Sequence, residues 1–143
     1  MQKILLAVDG SPSAIRATQV LVDLCEAFKE APEIHVLTVH RPVPNVGSIA
    51  PVITTEMRER YYREECDAAL APITALLDVA QKPYTVHRLI GTPAESIVDE
   101  ATRLGCTGIF MGTRGHTALA GMVLGSVTTK VLHLTKVPVT LVH

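Results

Sequence analysis

Short apolar runs alternate along this chain with longer stretches in which apolar residues recur every three or four positions. Lys3 to Val8 (KILLAV) is apolar after its first residue, the pattern of a parallel strand covered on both faces. It ends in Asp9-Gly10-Ser11-Pro12, where Ser11 suits a helix N-cap and Pro12 the first helical position. From there Ala14, Ala17, Thr18, Leu21, Leu24, Cys25 and Phe28 fall on one face, predicting a helix that closes before Pro32. Glu33 to Val39 (EIHVLTV) predicts a second strand. Arg41 to Pro51, with its prolines and glycine, predicts irregular structure. A long helical pattern runs from about Thr55 to Ala80, with Tyr62, Cys66, Ala69, Ile73, Leu76 and Ala80 on one face. Pro72 should kink or interrupt it, because its ring clashes with the preceding turn.

Tyr84 to Leu89 reads as a third strand. Thr92-Pro93 opens a helix with Ala94, Ile97, Val98 and Ala101 inward, and Gly105 stops it. Thr107 to Gly112 is a fourth strand. A glycine-rich loop follows, then a helix from Ser126 to about Leu134, and a last strand from Val137 to Val142. Strict alternation of this kind predicts an α/β fold: right-handed crossovers and a doubly wound parallel sheet with helices on both faces. The 143 residues have room for one domain, residues 1–143, around one core.

Composition narrows the function. The chain is 48% hydrophobic and 19% charged, with a net charge of -1, a globular profile. That balance lacks the basic excess of a nucleic-acid binder, and no apolar run is long enough for a membrane span. A cytoplasmic protein is expected. Cys25, Cys66 and Cys106 have no CxxC or zinc-site spacing and read as small buried hydrophobes. The six histidines show no metal-binding spacing either. His35 and His87, alternating with apolar residues on strands, read as half-buried structural residues; His40 ends a strand near the expected site. Lys130 reads as a solvated helix residue.

In an open parallel sheet, ligands bind beyond the carboxyl ends of the strands, where strand order reverses. Both 2-1-3-4-5 and 3-2-1-4-5 orders fit the alternation. With strands one and four side by side, the loop Ala7-Val8-Asp9-Gly10 and the loop Met111-Gly112-Thr113-Arg114-Gly115 face one crevice. The second loop reads Gly112-x2-Gly115-x9-Gly125-Ser126, and Ser126 starts a helix. Gly112 and Gly115 let the backbone approach a ligand closely. Gly125-Ser126 offers free N–H groups at a helix N-terminus, where phosphate is favoured. Ser126, Thr128 and Thr129 add hydroxyls, and Arg114 and His116 could add charge. The same glycines also fit a tight turn with close helix–sheet packing. Asp9 suits a ribose hydroxyl, an adenine amine or a metal ion on the phosphates, and equally a polar strand end supporting the Gly10 turn.

Over essentially its whole length the sequence resembles the nucleotide-binding branch of the universal stress protein family. The likeness is carried by KILLAVDGSPSAIRA, GTPAESIVDEA, MGTRGHTALAGMVLGSVTTKVL and VPVTLVH. The Gly-x2-Gly-x9-Gly-Ser motif is its specific part. The resemblance implies an adenine nucleotide alpha hydrolase-like sheet of order 3-2-1-4-5. It implies an adenine nucleotide (ATP, or ADP or AMP) with or without Mg2+. Adenine and ribose would lie near Ala7, Asp9 and Val39. The phosphates would lie along Gly112, Arg114, Gly115, Gly125, Ser126 and Val127, with Met111 lining the pocket. It also implies a homodimer through the last strand, Val137 to Val142, whose short uncharged edge a protein normally covers or pairs.

No P-loop lysine, paired carboxylates or nucleophile–base pair can be picked out. The expected function is therefore a nucleotide-dependent, stress-response regulator with an unidentified protein partner and at most slow ATP hydrolysis. The alternatives are a slow ATPase or phosphotransfer enzyme, and a partner-binding module with a vestigial pocket. A flavin role has no aromatic residue in either loop to stack the ring on.

Overall fold

Every predicted strand and helix is present in the computed structural model, which describes residues 2–44, 53–116, 120–121 and 123–143. In order these are β1 (Lys3–Ala7), α1 (Pro12–Cys25), β2 (Glu33–His40), α2 (Thr55–Val79), β3 (Tyr84–Ile90), α3 (Pro93–Leu104), β4 (Gly108–Gly112), α4 (Ser126–Leu134) and β5 (Val139–Val142). The five strands form one parallel sheet of order β3-β2-β1-β4-β5. β1 therefore has β2 on one side and β4 on the other, and the order reverses between β1 and β4.

Strand alternation splits the core into two layers. Ile4, Leu6, Val36 and Phe110 face α1 and α2, where they meet Ala17, Leu21, Leu70, Ile73 and Leu77. Leu5, Ala7, Leu37, Ile109 and Met111 face Ala94, Ile97, Ala101 and Val131 of α3 and α4. Leu5, Leu6, Val36, Leu37 and Ile109 have no exposed surface. That is why β1 reads as an apolar run.

The helix starts follow the local chemistry. Ser11 caps α1 by accepting a hydrogen bond from the Ala14 N–H, with Pro12 at the first helical position. Thr54 caps α2 through Met57. α3 starts at Pro93 and ends at Gly105, which takes a left-handed φ of 70°.

Several boundaries and faces differ from the sequence reading. β5 starts at Val139 rather than Val137. Pro138 has no N–H to give to a ladder and supplies only its carbonyl, which accepts from Ile109 N. α1 ends at Cys25, so Phe28 packs on the core from the following turn, while Leu24 is 39% exposed. α2 continues past Pro72 without interruption. Its buried face is Cys66, Leu70, Ile73 and Leu77; Ala69, Leu76 and Ala80 flank that stripe. Arg41 to Pro44 are irregular as expected, and the rest of that predicted loop lies outside the described residues. All three cysteines are free and buried, and burial raises each thiol above its ordinary pKa. Among the described residues no helix is long and apolar enough to cross a membrane.

Candidate nucleotide site

Beyond the carboxyl ends of β1, β2 and β4 lies a cleft of about 580 Å³, within the range of small-ligand sites. It sits at the reversal of strand order, where an open parallel sheet leaves a crevice. Ala7, Asp9, Val39, Met111, Gly112, Arg114, Gly115, Gly125, Ser126 and Val127 all line it. These are the ten positions singled out in the sequence, brought together from β1, β2, β4 and the start of α4.

The cleft's polar wall is made by the loop from β4 to α4. Gly125 is the N-cap of α4 in an extended conformation and makes no side-chain cap. The first N–H groups of α4 have no intrahelical partner and carry the positive end of the helix dipole. The loop is closed on itself by the Gly125 N–H, which donates to Thr113 O at 2.7 Å. The hydroxyls of Thr128 and Thr129 donate to Gly112 O (3.1 Å) and Gly125 O (3.0 Å). They thus brace the loop instead of adding free donors to the cleft, contrary to the sequence expectation.

Two glycines of the motif are required by close approaches. A Cβ on Gly112 would stand 2.1 Å from Ser13 Oγ and 2.8 Å from the Ser13 backbone carbon. The start of α1 thus presses directly on the end of β4. A Cβ on Gly115 would stand 2.6 Å from Asp9 Oδ2. Asp9 Oδ1 accepts the Ser11 N–H at 2.9 Å, fixing the turn into α1. Both readings of Asp9 therefore have a physical counterpart: one oxygen holds the turn and the other faces the glycine loop. The His116 ring also bridges the two loops, with Nε2 2.8 Å from the Asp9 carbonyl, to which it can donate.

The apolar wall was only partly visible in the sequence. Ala7, Val39 and Met111 are joined by Leu37 of β2 and by Pro93 and Ile97 of α3. Pro93 and Ile97 were read only as helix start and core; their spacing of four places both on the sheet-facing side of the first turns of α3. His40 and Arg41 line the β2 end. The His40 ring packs on Tyr61 and Tyr62 of α2, with its Nε2 3.8 Å from Glu65. Lys130 pairs with Glu95 across α3 and α4, and that hydrogen bond, above all, holds the Glu95 carboxyl below its ordinary pKa.

The donor set suits an anion with an apolar head. It offers main-chain N–H groups and Arg114 at one end, a carboxylate for hydroxyl or amino groups, and aliphatic surface for a flat ring. Among the described residues no group of three His, Cys, Asp or Glu could hold a metal ion on its own.

The five-stranded parallel fold and the glycine-rich loop before α4 define an α/β protein with a crevice at its strand ends. The family model "Universal stress protein family" matches residues 1–143, and the chain belongs to that family. A universal stress protein of Thermus aquaticus is 35% identical over 141 residues, covering 98% of this chain and 97% of that protein. The solved universal stress protein UspA of Lactobacillus plantarum superposes with a TM-score of 0.82 at 18% identity, covering 99% and 97%. The universal stress protein of Archaeoglobus fulgidus, solved in complex with dAMP, superposes with a TM-score of 0.65 at 22% identity, covering 100% and 98%.

Proposed function

We propose that this universal stress protein binds an adenine nucleotide, ATP foremost, in the cleft at the β1–β4 switch. In this reading it acts as a nucleotide-dependent stress-response regulator in the cytoplasm. The observation that carries the reading is the side-chain-free N-terminus of α4, opening onto the same cleft as Asp9 and an aliphatic wall. The base and ribose lie against Ala7, Asp9 and Val39, and Met111 lines the floor. The phosphates run along Gly112, Arg114, Gly115, Gly125, Ser126 and Val127, with Mg2+ carried in on them. The dAMP held by the Archaeoglobus fulgidus relative supports the adenine class.

Turnover is expected to be slow, because the motif has no P-loop lysine to draw charge off a leaving phosphate. The uncharged β5 edge, Val139 to Val142, with Val139, Leu141 and Val142 half-buried, favours pairing with a second copy. Sedimentation at several concentrations tests that. The central experiment is extraction of the purified protein followed by nucleotide chromatography, together with thermal denaturation with and without ATP. Nucleotide at a hundred times its dissociation constant should add about 2.7 kcal/mol to the folded state. Protein that carries no nucleotide and whose melting ignores ATP, ADP and AMP refutes the proposal.

A further inference from the structure

A second buried polar cluster lies between β2, β3 and α3. His35 Nδ1 and His87 Nε2 are 2.9 Å apart, with ring centroids separated by 5.1 Å. The remaining nitrogen of His35, Nε2, stands 2.7 Å from Glu33 Oε1. That of His87, Nδ1, faces Glu100 Oε1 on α3 at 3.4 Å. Glu100 is gripped in turn by Arg103, at 3.0 and 2.5 Å. The side chains of His35, His87 and Glu100 are 7%, 16% and 8% exposed. Sheet, histidine pair and helix thus form one line of contacts.

Counting protons shows what this line tolerates. An N···N contact at 2.9 Å is a hydrogen bond only if one nitrogen carries a proton and the other a lone pair. Two neutral imidazoles bring two protons, enough for the bond to Glu33 and the shared bond. A third, on His87 Nδ1, completes the chain to Glu100 and leaves the pair singly charged. A fourth sets N–H against N–H and deletes the shared bond. The charged and titratable groups facing the pair are Lys3 of β1, 4.0 Å from Glu33, Glu33 itself, Glu100 and Arg103 of α3, and the Cys106 thiol, which burial keeps neutral.

We propose that the His35–His87 pair is an acid-labile latch: sharing one proton it joins β2, through His87 of β3, to α3, and full protonation parts His35 from His87 and breaks that line. Burial first, and then His35, push the His87 imidazole below its ordinary pKa, against the weaker opposing pull of Glu100. A histidine depressed in the folded state contributes stability that is present above its unfolded value, about 6.5, and lost as pH falls through the lower folded one. With His87 resisting even the third proton, the fourth, which opens the latch, arrives only in acid. Because α3 carries Pro93 and Ile97 of the cleft wall and β2 carries Val39, opening should also loosen nucleotide. That last step rests on the nucleotide reading above.

The test uses the full chain and a His87→Gln variant from pH 8 to pH 5. The wild type should show a 15N–15N coupling between the two rings at pH 7.5 that disappears in acid. Its urea midpoint should fall more steeply with acid than that of His87→Gln. The Kd for AMP should rise about fivefold more in the wild type than in the variant, as loss of one hydrogen bond would give; titration of the AMP phosphate cancels between the two proteins. A missing coupling at pH 7.5, or parallel urea curves, overturns the latch. Should His87→Gln fail to fold, the wild-type coupling and its response to acid decide alone. AMP that fails to bind at pH 7.5 sinks the nucleotide reading and leaves coupling and urea to judge the latch. AMP affinity that falls equally in both proteins overturns the link from latch to cleft.

Discussion

Gly115→Ala isolates the contact between the glycine loop and Asp9. Gly115 has a φ open to any residue, so the added methyl group strains no backbone. Its Cβ would stand 2.6 Å from Asp9 Oδ2 and 3.8 Å from Asp9 Cγ, so the carboxylate must swing by about half an ångström to reach normal contact. The swing pulls Oδ1 off the Ser11 N–H it accepts at 2.9 Å. A hydrogen bond to a charged group is worth about 1.5–3 kcal/mol. Asp9 is solvent-exposed, and water replaces part of that bond, which leaves an expected loss of about 1 kcal/mol. AMP affinity should fall about tenfold, the equivalent of roughly 1.4 kcal/mol, because the displaced carboxylate is the group assigned to the ribose and base. A double-mutant cycle with Asp9→Ala, read by urea denaturation, separates this mechanism from general loop damage. Without the carboxylate the new methyl group meets nothing, so Gly115→Ala in that background should be nearly silent, with a coupling of about 1 kcal/mol. Effects that add within about 0.3 kcal/mol, or a Gly115→Ala protein with wild-type AMP affinity, would refute the reasoning.

Gly112→Ala should be the harsher substitution, because its Cβ meets the Ser13 backbone carbon at 2.8 Å; a loss of about 3 kcal/mol in urea denaturation is expected. Leu77→Ala should cost about 3 kcal/mol, since Leu77 is 0% exposed, and Leu76→Ala under about 1 kcal/mol; equal costs in urea would mean that α2 is rotated from the face described. Arg103, before the other groups, holds the Glu100 carboxyl below its ordinary pKa. That contribution is present above the unfolded value, about 4.3, and lost as pH falls through the lower folded one. Glu100→Gln should therefore lose about 1 kcal/mol at pH 7, and the gap should narrow in urea titrations below pH 4.

The features legible in the sequence were those set by local chemistry. Ser11-Pro12, Pro93 and Gly105 bound their helices because a capping hydroxyl, a fixed φ and a left-handed φ depend on the residue itself. The cleft was legible because a parallel sheet puts its loops at strand ends and the glycines mark where backbone must come close. Contributions decided across the fold were harder to see. On α2, helical spacing alone fits a stripe through Ala69 and Leu76 as well as one through Leu70 and Leu77. Which one is buried depends on how the helix lies against α1 and β2. The hydroxyls of Thr128 and Thr129 face the loop in sequence, yet both are drawn to its own carbonyls. Glu100 offers no sign in the sequence that it is buried: Arg103, a turn away on the same helix, would pair with it equally on the surface, and His87 on β3 meets it only once α3 docks.

These particulars make the two walls of the cleft physically unlike each other. The phosphate wall is locked: Ser13 fills the space under Gly112, its hydroxyl donates to Val142 O at 3.0 Å, and the Thr113 N–H donates to the same carbonyl at 2.9 Å. Movement there would break contacts among α1, β4 and β5 at once. The apolar wall hangs on α3, whose buried charge, Glu100, is gripped by Arg103 and faces the titratable His87 ring. A ligand with a phosphate tail and an adenine head would therefore meet a fixed grip at the tail and an adjustable one at the head. Changes in pH should alter recognition of the head before that of the tail, so acid should weaken AMP binding in the wild type far more than binding of inorganic phosphate.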